Sequence, residues 1–233
     1  MQTARIGAAI MALLALGATP PRDPVNPTCP QSPGWSLKPK MEFRVFKMNG
    51  RQIIAGEGRI DAGVVDRLRA VLVKYPDPAE IWLSSPGGDA RAGNAAGRLI
   101  RETLDVETRI PSGWACYSSC NFIFMGGRKR TIDVGGDFIV HMFTQTNDRD
   151  SIDMSVAMGT DATTELIGEI EQDAAMLATE DNDFLIRMGV SRKLLSDIMY
   201  QQKAVAGSGS DRSTRRCLSI DEALRYGVMS EPG

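Results

Sequence analysis

Two glycine-bearing turns, each set between an expected strand and a helix-spaced stretch, restrict this chain more than any other feature. The first is Ser85-Pro86-Gly87-Gly88. It follows a short apolar run at 80–84 and precedes Ala92, Ala95, Ala96, Leu99 and Ile100 at helical spacing. The second follows a strand expected at 106–110. There Pro111, Ser112 and Gly113 lead into Cys116-Tyr117-Ser118-Ser119-Cys120 and a compact apolar segment closed by Gly126 and Gly127. Strand, turn, helix, then the same again, predicts an α/β fold with a mostly parallel sheet flanked by helices. Ligands of open α/β sheets bind beyond the C-terminal ends of the strands, so both turns become candidate site elements.

The flanking sequence supplies the remaining elements. Residues 41–48 alternate in polarity and meet Asn49-Gly50, a strong hairpin signal, with 52–60 as the partner strand. Asp61 caps a helix over 63–74, which Pro76 and Pro78 stop. Two more strands are expected at 131–134 and 137–143, and a polar loop at 145–155. A long helical period runs over 159–188, followed by a serine-capped helix at 191–200 and a Gly/Ser-rich loop at 206–214. A final short helix at 218–226 takes Ser219 as its cap and ends at Gly227.

The first 18 residues stand apart from this pattern. Arg5 precedes an apolar run of about 13 residues, too short to span a bilayer comfortably, that ends in small residues. This predicts a secretory signal peptide, with membrane contact only through that transient segment and a periplasmic or secreted destination. Residues 19–40 hold seven of the 12 prolines and predict an extended linker with no core beyond Trp35, leaving 41–233 as the α/β domain. Export bears on the four cysteines, Cys29, Cys116, Cys120 and Cys217. An even count in an oxidising compartment fits two disulfides in any of three pairings, and Cys116 and Cys120 also suit small buried thiols. Their spacing, with a single histidine, is not that of a zinc module. A formal charge of −2 gives no basis for a nucleic-acid partner.

Ser118 is a candidate nucleophile as well as a candidate helix cap, because a small-residue turn opening a helix sets a hydroxyl beside unpaired backbone N–H groups. If a histidine activates it, that base is His141 on the third strand of the set, since the chain has no other. The glycines at 87 and 88 let backbone approach a substrate closely, with N–H groups suited to a phosphate or a tetrahedral oxyanion.

These segments together carry a resemblance. Ile81-Trp82-Leu83-Ser84-Ser85-Pro86-Gly87-Gly88 with Gly93, Cys116-Tyr117-Ser118-Ser119-Cys120, Gly126-Gly127-Arg128, Ile139-Val140-His141, and Leu218-Ser219 with Glu222-Ala223 and Tyr226-Gly227-Val228 occur in that order. They resemble the ClpP/crotonase superfamily, specifically its exported ClpP-like serine peptidases, over 43–229. The resemblance implies a ββα superhelix and peptide-bond cleavage through an acyl-enzyme on Ser118 with His141 as base. It implies an oxyanion hole from Ser119 and the Gly87–Gly88 turn, Gly88 in particular, and a peptide or unfolded-protein substrate. It implies no cofactor and no metal, and assembly into a homo-oligomer. One departure stands out: the position where ClpP has its aspartate, four residues before Ser219, is Arg215. Asp211 is then the nearest acidic partner for His141, with Asp181, Asp183 and Asp197 as further options. The competing readings are an inactive ClpP-like pseudopeptidase that binds extended peptides, acyl-CoA chemistry on the same fold, and Ser119 as the nucleophile.

Overall fold

The computed structural model describes residues 21–103, 105–146, 148–202 and 215–232. The expected signal peptide and the 206–214 loop lie outside the described residues. Strand β1 (Glu42–Met48) turns through Asn49 and Gly50, at φ of 51° and 78°, into antiparallel β2 (Arg51–Glu57). Positive φ at both central residues matches the right-handed twist of the two strands, which is why Asn-Gly sits there. Helix α1 (Val64–Lys74) returns the chain to β3 (Glu80–Ser84), parallel to β2. Helix α2 (Ala90–Thr103) returns it to β4 (Glu107–Ile110), parallel to β3.

From β4 the chain leaves this sheet. A three-residue strand, β5 (Ala115–Tyr117), starts a second sheet and leads through Ser118 and Ser119 into α3 (Cys120–Met125). Strand β6 (Lys129–Ile132) rejoins the first sheet beside β4, and β7 (Asp137–His141) pairs with β5 in the second. Helices α4 (Arg149–Met158) and α5 (Thr160–Met188) follow, then a π-helical turn (Leu194–Ile198) running into a 3₁₀ turn (Met199–Gln201). Strand β8 (Arg215–Cys217) pairs antiparallel with β7, α6 (Ile220–Arg225) is closed by a capping box of Ser219 and Glu222, and β9 (Glu231–Pro232) borders β6. The sheet orders are β1-β2-β3-β4-β6-β9 and β5-β7-β8, and a bridge between Ser85 and Cys116 joins them. The core between sheets and helices holds Phe124, Phe138 and Phe184 with Ile54, Ile81, Leu83, Ile100 and Ile110, all fully buried.

Helix α2 lies backbone to backbone against the turn and helix that follow Ser118. A Cβ on Gly97 would stand 2.2 Å from the Phe122 carbonyl oxygen, so only glycine permits this approach.

Three expectations differ from what is observed. Residues 149–158 form a helix and not a loop, since Asp148 accepts a hydrogen bond from Ser151 N–H at 3.3 Å and closes its first turn. The segment at 191–200 is a π turn and a 3₁₀ turn, not a regular helix; Leu194, Leu195 and Ile198 are all buried there. The proline-rich stretch is packed. Trp35 stacks on Tyr117 with ring centroids 5.5 Å apart, Ser36 N–H donates to Ser84 Oγ at 2.9 Å, and Cys29 is disulfide-bonded to Cys217.

Candidate active site

Ser118 sits where β5 ends, at a φ of 57°. A non-glycine residue in this left-handed region costs about 1–2 kcal/mol, so the surroundings must impose it. They do so from both sides. The Cys116–Cys120 disulfide clasps the turn across four residues. Ser118 N–H donates to Ile139 O at 3.3 Å, and Asn121 Nδ2 donates to the same carbonyl at 2.7 Å. The turn is thereby stitched to β7, and along β7 the side chain two residues beyond Ile139, on the same face, is that of His141. The result is a contact of 2.7 Å between His141 Nε2 and Ser118 Oγ. With the imidazole proton on Nδ1, Nε2 accepts from the serine hydroxyl, which is the arrangement of a general base and its nucleophile. The Tyr117 ring lies 4.8 Å from the imidazole, centroid to centroid, and limits its sideways movement.

The SPGG turn supplies the other wall. Ile60 grips it on one side, its N–H donating to Gly87 O at 2.9 Å and its carbonyl accepting from Asp89 N–H at 3.0 Å. Gly87, at a φ of 81°, must be glycine: a Cβ there would meet Ser118 Cβ at 2.6 Å. Its N–H donates to Ser85 Oγ at 3.0 Å and is already used. Of the two glycines expected as donors, Gly88 is the one whose N–H makes no hydrogen bond to a described residue, and the same holds for the N–H of Ser119. Gly88, Ser118, Ser119 and His141 all line one cavity of about 330 Å³. A hydroxyl held by a base, next to two free backbone donors, suits addition to a carbonyl and stabilisation of the resulting oxyanion.

Around this centre the cavity is mainly apolar. Phe122 and Met125 come from α3, Leu177 and Leu185 from α5, and Leu194, Leu195 and Met199 from the π and 3₁₀ turns. Leu177, Leu185, Leu194, Leu195 and Met199 come from far along the chain, and no signal near the serine in sequence points to them. Asp181 of α5 lines the same cavity, and burial with the nearby charge of Glu180 pushes its carboxyl up from 3.8 to about 7.

The acidic partner of His141 is where the picture changes most. Asp211 lies outside the described residues. Asp183 and Asp197 are exposed, and Asp197 accepts from Ser196 Oγ at 2.9 Å. Arg215 pairs across β7–β8 with His141 itself. Its guanidinium lies over the rings of Trp35, at 5.3 Å, and Tyr117, at 4.9 Å. Asn26 Nδ2 donates to its carbonyl, and Cys217 beside it carries the disulfide to Cys29. The chain bearing Arg215 is thus tied to the N-terminal segment. Among the described residues no group of three histidine, cysteine, aspartate or glutamate side chains is placed to hold a metal ion, and no helix is long and apolar enough to cross a membrane.

No protein-family model and no curated protein sequence matches the chain. Solved structures do. A ClpP1 mutant from Listeria monocytogenes aligns over 78% of this chain and 90% of its own, with a TM-score of 0.53 at 16% identity. The chain has the ClpP-like fold. A mutant of the 1510-N membrane-bound stomatin-specific protease aligns over 78% of this chain and 77% of its own, at 14% identity and a TM-score of 0.47. In this ClpP-like frame the serine turn opens the helix that α2 covers, and the SPGG turn ends the strand alongside it.

Proposed function

We propose that this chain is an exported serine hydrolase, a peptidase that cleaves peptide bonds through an acyl-enzyme on Ser118. The observation that carries the reading is the 2.7 Å contact between His141 Nε2 and Ser118 Oγ beside the unpaired N–H groups of Gly88 and Ser119. In the first step Ser118 Oγ adds to the scissile carbonyl while His141 takes its proton. The oxyanion is held by the two backbone donors, worth about 3–4 kcal/mol each by analogy with the removal of one such donor in other hydrolases. His141 then delivers the proton to the leaving amine, and water, deprotonated by the same ring, releases the acyl group. Asp211 is the proposed partner of the imidazole, with Gly87 shaping the turn. The enzyme needs no cofactor or metal. Its substrate is a peptide or unfolded protein, and it works in the periplasm or outside the cell, as a homo-oligomer.

Two disulfides in the fold support export, since such bonds persist in oxidising compartments. A second reading has one observation in its favour. The strand position facing His141 holds Arg215, a cation where a carboxylate would orient the ring. On that reading the groove binds extended peptides without cleaving them. A fluorophosphonate probe separates the two. The peptidase reading expects labelling that disappears in Ser118→Ala; a folded native chain that takes no label belongs to the binding reading.

A further inference from the structure

Apart from the reactive pair, the polar groups of the cavity beside Ser118 are few. Apolar residues, Phe122, Phe138, Leu177, Leu185, Leu194 and Met199 among them, make most of its wall, and no lysine or arginine lines it. Asn121 and Asp181, from α3 and α5, do line it. Asn121 is 6% exposed. Its Nδ2 is used on Ile139 O, while its Oδ1 has no hydrogen-bond partner among the described residues. Asp181 makes no hydrogen bond or ion pair with a described residue, and its carboxyl is held up near 7 by burial and by Glu180. The groups around it are Glu180 on the same helix, itself 3.8 Å from Arg91 of α2, and Tyr200 of the 3₁₀ turn, whose phenol is pushed up by burial and by Asp181. His141 is the other titratable side chain in the cavity wall.

Such a cavity offers the Asp181 carboxyl and apolar surface but no lysine or arginine. A buried acceptor left without a donor costs about 1–3 kcal/mol, and a buried carboxylate more, so the complementary ligand brings both an apolar stem and a donor-only positive head. Lysine and arginine side chains have that form. We propose that this cavity is the specificity pocket of the site. It receives a lysine or arginine side chain from the residue on the acyl side of the scissile bond, with Asp181 meeting the cationic head. The proposal rests on the serine-hydrolase reading of Ser118. It adds what that reading lacks, a substrate class, and assigns Asp181 to the substrate rather than to the imidazole. Discrimination against a neutral side chain follows, because the neutral group leaves the half-buried Asp181 carboxylate without a partner.

The test is binding of benzamidine and of its neutral analogue benzamide, by calorimetry at pH 8, to the full chain carrying Ser118→Ala. Benzamidine is expected to bind at least tenfold more tightly, and adding Asp181→Asn should erase the difference. Equal affinities, or a preference that survives Asp181→Asn, overturn the proposal. With Asp181 intact, benzamidine affinity should weaken by up to tenfold per pH unit below about pH 7, where the ligand must displace a proton from the carboxyl, while benzamide stays level. A flat benzamidine profile also overturns it. Fluorophosphonate labelling of the native chain reports on Ser118 separately. Labelling without amidine preference removes the pocket assignment alone, and amidine preference without labelling removes the catalytic reading alone.

Discussion

Replacing Asp181 with asparagine should stabilise the chain at pH 8 and leave it unchanged near pH 4. The carboxyl ionises at 3.8 in a solvated chain and at about 7 in the fold. Between those values the folded state holds a proton that the unfolded state has lost, so native stability falls as pH rises through the window and levels off above it. At about 1.4 kcal/mol per pH unit the loss by pH 8 is about 4 kcal/mol. Asparagine never ionises and avoids it. A neutral carboxyl and an amide give up similar hydration on burial, so the expected gain is about 3–4 kcal/mol. In urea titrations read by circular dichroism, with a slope of about 2 kcal/mol per M, the midpoint should rise by about 1.5–2 M at pH 8. It should not move at pH 4. A variant that is less stable at pH 8, or displaced equally at both pH values, would refute the reasoning, because the carboxyl would then have a partner that compensates its burial. A residue kept at a cost to stability is what a ligand-facing carboxylate looks like in the unliganded protein.

Two further outcomes follow from the packing. Gly97→Ala places a methyl group 2.2 Å from the Phe122 carbonyl oxygen and should cost about 1–3 kcal/mol by forcing α2 away from α3, measured as a lower urea midpoint. Gly168→Ala, at a position with open space on α5, should be neutral or stabilise by up to about 1 kcal/mol and serves as the control. Removing the Cys29–Cys217 bridge by double substitution to serine frees a loop spanning 188 positions. Chain-entropy arguments put the loss at about 5 kcal/mol, with increased protease cleavage in the N-terminal strap around Trp35 as a second readout.

Much of the frame was legible because local chemistry and tertiary role coincide. Asn49-Gly50 demands positive φ at both positions and obtains it in a hairpin. Ser219 and Glu222 form the capping box that opens the last helix. His141 stands out because the chain has no other histidine, and Ser118 through the resemblance carried by Cys116-Tyr117-Ser118-Ser119-Cys120. Strand β5 was hidden, since three residues between two turns show no periodicity. Helix α4 was hidden by its composition: Ser155 is the one residue it buries, so no apolar stripe marks it. The π turn reads in the sequence as a regular helix, because Leu194, Leu195 and Ile198 fit either geometry until tertiary packing buries all three. The division of labour between Gly87 and Gly88 turned on one hydrogen bond to Ser85 Oγ, which no residue pattern encodes. Asp181 was in view only as a carboxylate downstream of His141. Its place in the cavity depends on how α5 packs across α3, a contact between distant segments.

The most direct measurement is the rate at which a fluorophosphonate modifies the intact chain, followed by mass spectrometry of the modified peptide, in the native protein and in His141→Gln. An activated Ser118 predicts a single adduct on that serine, formed about 10²–10⁴-fold more slowly without the imidazole. An adduct elsewhere, or a rate indifferent to His141, would contradict the account.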